Sequence, residues 1–313
     1  MSRYKIDSNP SINDDISELA DFIEIQCLSS EEGMYSLESA RSFFCKESDE
    51  INFNGVDDDD DKIRNRLTAV FCELVRRERN SAGHYPFVIQ ETSLLKINVQ
   101  CGELVRDVYK YLLYATRVNM NQYRRFGEGG KDASLLFEKL SRNICECYFG
   151  SGAKSMVLGT SENRSFKDKV KELLHRLNYR ATYKDPIGSN GHQKDVGVDV
   201  VVWNPFYDKK DSMLIGFAQC KTGTSWNTMA PTLNPVDFFR NYSTYQPTSD
   251  PIKMFFVSEA ISESEQWEER TRKTGILFDR VRIMSLLPTE LDSEIIADIR
   301  EWNSIIDDMR AKE

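Results

Sequence analysis

Two short apolar runs near the middle of the chain constrain its fold more than any other feature. One is Asp195-Val196-Gly197-Val198-Asp199-Val200-Val201-Val202-Trp203. The other runs from Met213 to Lys221 and ends Ala218-Gln219-Cys220-Lys221. β-Branched and aromatic residues in runs this short favour extended structure. Between them lie Asn204, Pro205, Asp208, Lys209, Lys210 and Asp211, a turn-forming segment that makes the runs antiparallel neighbours. Side chains alternate faces along a strand. Met213, Ile215, Phe217, Gln219 and Lys221 therefore share one face, and Leu214, Gly216, Ala218 and Cys220 the other. The same alternation predicts Val198, Val200 and Val202 in a core, with Asp199 facing a cleft. The hairpin thus gathers a carboxylate, an amide oxygen and an ammonium at adjoining strand ends.

Oxygen ligands suit hard divalent cations such as Mg2+ or Mn2+. Such a cation polarises a scissile phosphate and lowers the pKa of a bound water, and a lysine beside it orients that water or stabilises developing charge. Because Gln219 is neutral, a further carboxylate is expected from a helix packed beside the hairpin. The helix from about Ala133 to Phe149 has the apolar stripe Phe137, Leu140, Ile144 and Tyr148, with Glu138 at its edge. The helix from about Phe166 to Asn178 has the stripe Phe166, Val170, Leu173, Leu174 and Leu177, with Asp168 and Glu172 beside it. It directly precedes another expected strand, Tyr179 to Lys184. Glu138 is favoured and the Asp168/Glu172 pair stays open. Each residue also has an ordinary explanation. Glu138 can pair with Arg142 one turn on, worth only a few tenths of a kcal/mol. An Asp at a strand end can merely shape a turn, and an exposed Lys is normally solvated. Asp195 is either an additional acid or a turn residue, and His192, in the polar loop from Pro186 to Gln193, reads as a surface residue.

The pattern resembles the restriction-endonuclease-like, or PD-(D/E)xK, nuclease superfamily in its Mrr-like branch. There the acidic strand reads like Asp-Gly-Gly-Ile-Asp and the next ends in Gln-x-Lys; here the matches are Asp195 to Asp199 and Gln219-Cys220-Lys221. The resemblance covers roughly the second half of the chain. It implies Asp199 and Gln219 as metal ligands and Lys221 as the catalytic lysine, with Gln usual at its position in that branch. Phe137-Glu138, early in a helix before the hairpin, resembles the superfamily's acidic helix. The implied activity is Mg2+- or Mn2+-dependent hydrolysis of DNA by a prokaryotic restriction or anti-phage effector. Partners implied by that role are DNA, a second copy of the chain, and an ATPase or sensor subunit of a defence complex. The competing reading is a non-catalytic DNA- or protein-binding module on a nuclease fold.

The expected fold class is α/β: helix, three-stranded mixed sheet, helix, strand in residues 131–313, and a mainly helical accessory or docking domain in residues 1–125. Phe126-Gly127-Glu128-Gly129-Gly130 separates them as a hinge or turn. The net charge of −9 does not advertise a nucleic-acid surface. Most of it falls in residues 1–130, which carry a net of −7, whereas residues 131–313 carry −2. A local basic groove is therefore expected only in the second half. No apolar stretch has the length of a membrane span, no signal-like run opens the chain, and seven cysteines without CxxC pairs fit a reducing cytoplasm. Along the first half, Asp14 to Cys27 reads as a helix. The aspartates 57–61 read as a loop before a helix carrying Ile63, Leu67, Val70, Phe71 and Leu74. Phe87–Ile89 and Leu94–Val99 read as short strands. That order fits a winged-helix-like module or a helical scaffold. Farther on, Ile252–Val257 and Val281–Leu286 read as strands, and Trp226 as a packed ring rather than a base-stacking platform.

Overall fold

In the computed structural model the described residues are 4–51, 56–159, 164–177, 181–186, 197–208, 210–228, 232–262 and 267–312. The N-terminal half is assembled from amphipathic helices and three short strands. Asp15 caps α1 (Ile16–Ser29) by accepting the Ser17 N–H, and the helix buries Leu19, Phe22 and Ile23. β1 (Met34–Ser36), α2 (Leu37–Ile51), α3 (Val56–Asn80), β2 (Phe87–Gln90) and β3 (Leu94–Ile97) follow. The strands form an antiparallel sheet in the order β1-β3-β2. This half thus runs helix, strand, two helices and two strands. The aspartate run corrects one expectation, because it lies inside the first turns of α3 rather than in a loop. Negative charge is favourable at a helix N-terminus, and Asp60 also accepts two bonds from Arg41 of α2, each of 2.7 Å.

Next come α4 (Glu103–Arg117), α5 (Met120–Tyr123), and a small hairpin of β4 (Arg125–Phe126) and β5 (Lys131–Asp132). The glycine-rich segment is the turn of that hairpin, with Gly127, Gly129 and Gly130 all at positive φ. The rest of the chain is α6 (Ala133–Phe149), β6 (Lys154–Val157), α7 (Phe166–Leu177), β7 (Val200–Asn204), β8 (Leu214–Lys221), a 3-10 turn at Ser225–Thr228, α8 (Pro235–Tyr242), β9 (Ile252–Val257), α9 (Trp267–Thr274), β10 (Ile276–Phe278), α10 (Arg280–Ser285) and α11 (Ser293–Arg310). Lys131 of the hairpin pairs with Asp298 and Glu301 of α11 at 2.8 and 2.7 Å.

The five strands from β6 onward form one mixed sheet in the order β10-β9-β8-β7-β6. β6, β7 and β8 are antiparallel, while β9 and β10 run parallel to β8. β7, β8 and β9 fall where their apolar runs predict. Two other segments do not. In Tyr179–Lys184 the described residues contribute a single bridge, Tyr183 to Ser243, rather than a strand. The first strand of the sheet is instead β6, an edge strand whose partly exposed residues carry no alternating pattern. Val281–Leu286 falls largely in α10, begun by Asp279, which accepts the Arg282 N–H. A short apolar run does not distinguish a buried turn of helix from a strand.

The two faces of the sheet meet different layers. Val200, Val202, Ala218, Met254 and Phe256 join a continuous core with α4, α6, α11 and the N-terminal helices. Val201, Trp203, Ile215 and Phe217 pack against Val170, Leu173 and Leu174 of α7 and Phe238 and Phe239 of α8. Among the described residues no helix is long and apolar enough to cross a membrane.

Beside this apolar core, a buried ionic network ties α1, α3 and α4 to α10. Asp21 of α1 is fully buried and contacts three fully buried arginines. Arg77 of α3 reaches it at 2.7 Å, Arg117 of α4 at 2.6 Å, and Arg280 of α10 through two bonds of 2.9 and 3.1 Å. Glu24 lies beside Arg77 at 3.0 Å and accepts the Tyr85 and Tyr109 hydroxyls. Burial alone would push the Asp21 carboxyl up; Arg280, Arg117 and Arg77 outweigh it and hold the carboxyl well below the usual carboxylate range.

Removing one member of such a network leaves the others buried and uncompensated. Asp21→Ala should cost about 3–5 kcal/mol in denaturant unfolding. The depressed value also fixes the sign of the acid response. The contribution of Asp21 is complete above the ordinary carboxylate value of about 4 and is lost as pH falls through the lower folded value. The stability of Asp21→Asn should therefore decline less steeply in acid than that of the wild type, as measured by unfolding at a series of pH values.

Candidate active site

Asp199 stands one residue before β7, at a break in the strand pattern. The register pairs Val200 with Ala218, yet the Asp199 N–H also donates to the Ala218 carbonyl at 2.9 Å. Two residues of one strand thus address one residue of the other, as in a bulge. The alternation breaks here. Val198 packs with Val201 on the α7 side, whereas Val200 and Val202 pack on the α6 side. The three valines expected on one face are therefore divided between two, because strict alternation does not survive the extra residue.

The break holds Asp199 between two strands. Its Oδ2 accepts the Cys220 N–H of β8 at 2.7 Å. Its carbonyl accepts the N–H groups of Leu158 and Gly159, just past β6, at 2.8 and 3.3 Å. Glu138 approaches the same corner from α6. Its carboxylate lies so close to Gly159 that a Cβ there would meet Oε2 at 2.0 Å. Both acids bear on the Cys220 thiol, whose pKa is raised first by burial and then by the charges of Asp199 and Glu138.

The remaining expected residues fall as follows. Gln219 is buried and its Nε2 donates to Thr232 Oγ1 at 3.1 Å. Its Oε1 is buried and accepts from no described residue. Lys221 ends β8 opposite Val257 of β9 and is partly exposed. Two bonds anchor the chain there, from the Ser258 N–H to the Lys221 carbonyl at 3.4 Å and from the Gly223 N–H to the Ala115 carbonyl of α4 at 3.0 Å. Asp168 accepts the Ser165 hydroxyl at 2.6 Å, and Glu172 pairs with Arg164 and Arg176. These two acids are engaged on α7 and in the segment leading into it. Asp195 and His192 lie outside the described residues. Trp226 packs on Phe255 and donates to Glu259 at 2.6 Å, so its ring belongs to the core.

One residue at this corner escapes the sequence reading. Lys169 of α7 is buried, and its Nζ donates to the carbonyls of Leu158 and Gly159. Burial pushes its pKa down, and the nearby Glu138 carboxylate works against that shift. The signal was available: Phe166, Lys169, Val170, Leu173, Leu174 and Leu177 follow helical spacing, which puts Lys169 on the apolar stripe itself.

Among the described residues no group of three His, Cys, Asp or Glu side chains is placed to hold a metal ion. The acidic pair at this corner is Asp199 and Glu138, and a third oxygen would have to be an amide. Gln219 Oε1, a buried acceptor without a described donor, has the chemistry of such a ligand. No family model matches the chain, and the searches of curated proteins and of solved structures also find no match.

Gly197 sets the approach of this strand to Gln219. It has φ +70°, and a Cβ there would meet Thr232 Oγ1 at 2.3 Å and Gln219 Nε2 at 2.8 Å. Gly197→Ala should lower stability by about 1–3 kcal/mol in denaturant unfolding through left-handed strain.

Proposed function

We propose that the chain is a metal-dependent DNA endonuclease with a restriction-endonuclease-like core. In this reading the core is α6, the antiparallel strands β6, β7 and β8, then α8 and β9, with α7 inserted between the first two strands. The observation that carries the proposal is the corner at Asp199. The Asp199 carboxylate is held by the Cys220 N–H of β8 and its carbonyl by Leu158 and Gly159 just past β6, and the Glu138 carboxylate lies against Gly159 from the helix directly preceding β6. This order also favours Glu138 over Asp168 and Glu172, whose helix follows the first strand.

Asp199, Glu138 and Gln219 Oε1 are the oxygen donors that would hold Mg2+ or Mn2+. When bound, the ion supplies Lewis-acid polarisation of the phosphate and a more acidic water. Lys221 orients the attacking water and offsets charge developing on the phosphate. The bonds at Ser258 and Gly223 fix the strand end on which Lys221 stands. Asp199 keeps its position because Cys220, Leu158 and Gly159 all bond to it.

The N-terminal half has a different role. Its winged-helix order would ordinarily suggest DNA reading, but α3 begins with the aspartates 57–61 and the half carries a net charge of −7. Negative charge opposes phosphate contact, so we assign this half to docking a protein partner, such as an ATPase or sensor subunit. Two strands of duplex DNA require two sites, which a homodimer supplies. A part in restriction or anti-phage defence follows from the resemblance to the Mrr-like branch.

The test is incubation of supercoiled plasmid with the purified protein and Mg2+ or Mn2+. Metal-dependent nicking or linearisation is expected, reduced about 10²-fold or more in Lys221→Ala and Asp199→Asn. Metal binding without cleavage would mark an effector that waits for its partner. Neither binding nor cleavage would overturn the catalytic reading in favour of a binding module on a nuclease fold.

A further inference from the structure

We infer that Lys169 is a positioning residue of this site, a built-in cation whose ammonium faces Glu138 across Gly159 and competes with the divalent ion for that carboxylate. The inference rests on the metal-site reading above. Gly159 is the shared spacer. Its N–H is bonded to the Asp199 carbonyl, its carbonyl accepts from Lys169 Nζ, and the Glu138 carboxylate lies against its Cα. The absence of a side chain at Gly159 is what lets the carboxylate come this close.

Lys169 does not reach this place as a solvated surface group. It comes from α7, on the other side of the sheet from α6, and its side chain is taken out of water to end on two backbone carbonyls. Burying an ammonium is costly unless it is hydrogen-bonded and compensated. The carbonyls of Leu158 and Gly159 provide hydrogen bonds, and the Glu138 carboxylate provides opposite charge. Without a metal, this arrangement offsets the repulsion between two carboxylates gathered at one corner. With a metal, the same positive charge opposes the ion. Lys169 therefore raises the metal concentration needed to fill the site.

The experiment is Mn2+ binding to the full-length protein by titration calorimetry, together with thermal unfolding with and without Mn2+. Lys169→Met keeps the length of the side chain and removes its charge; Lys169→Arg keeps the charge. The expected result is Mn2+ binding about tenfold or more tighter in Lys169→Met, and close to wild type in Lys169→Arg. Thermal stabilisation by Mn2+ should also be larger in Lys169→Met than in wild type, because the metal then replaces the missing cation. If Lys169→Met does not fold, Lys169→Gln removes the charge while retaining a donor. Unchanged or weaker binding in the uncharged variant, with Asp199-dependent binding in wild type, would overturn the inference and leave the metal site standing. Absence of any Asp199-dependent Mn2+ response in wild type would overturn both.

Discussion

The fold depends on a charge that has been taken out of water. Asp21 lies inside the protein only because three arginines, from α3, α4 and α10, converge on its two oxygens. None of these arginines could be buried alone at tolerable cost, and neither could the acid. The network is directional in a way that apolar packing is not. Arg280 also donates to the Ser258 carbonyl and to Thr116 Oγ1, and Thr116 donates to Ser258 Oγ at 3.0 Å. Ser258 follows β9 directly and bonds back to Lys221. A continuous set of hydrogen bonds therefore runs from the first helix to the strand end that carries the candidate lysine. Replacing the network with apolar residues would preserve burial and lose that registration.

The elements that carry the candidate site are legible in the sequence because they are local. The apolar runs around Asp199 and Gln219 are strong enough to define two strands, and the polar segment between them defines their connection. Glu138 was readable as a helical acid beside an apolar stripe. The reading failed where structure depends on neighbours. β6 is a four-residue edge strand recognisable only by its pairing with β7. Arg280 belongs to the buried network, and α10 begins at that residue; the apolar run that follows carries no trace of Asp21, more than 250 positions away. Alternation failed at Asp199 because a single irregular residue reverses the face of everything before it. Lys169 was missed for the opposite reason. Its position on the apolar stripe is visible in the sequence, but a lysine there is ordinarily solvated, so spacing alone does not mark it as buried.

The distribution of charge has a structural counterpart. The acidic excess belongs to the mainly helical N-terminal half, and the near-neutral half contains the candidate corner at Asp199. The two share one hydrophobic core, in which Leu19, Phe71 and Tyr109 are continuous with Ile144, Met254 and Trp302. The acidic half is thus part of the scaffold that holds the strands, as well as a surface.

That shared construction limits how the chain can be dissected. The glycine turn at residues 127–130 looks like a natural place to divide the protein, but Arg280 lies beyond it and its acid lies before it. A fragment beginning after the turn would inherit a guanidinium evolved for a buried carboxylate it no longer has, and a β8 end deprived of its α4 anchor. The two halves are better regarded as a single inheritable unit, in which neither can be exchanged for a foreign counterpart unless the arginines travel with their acid.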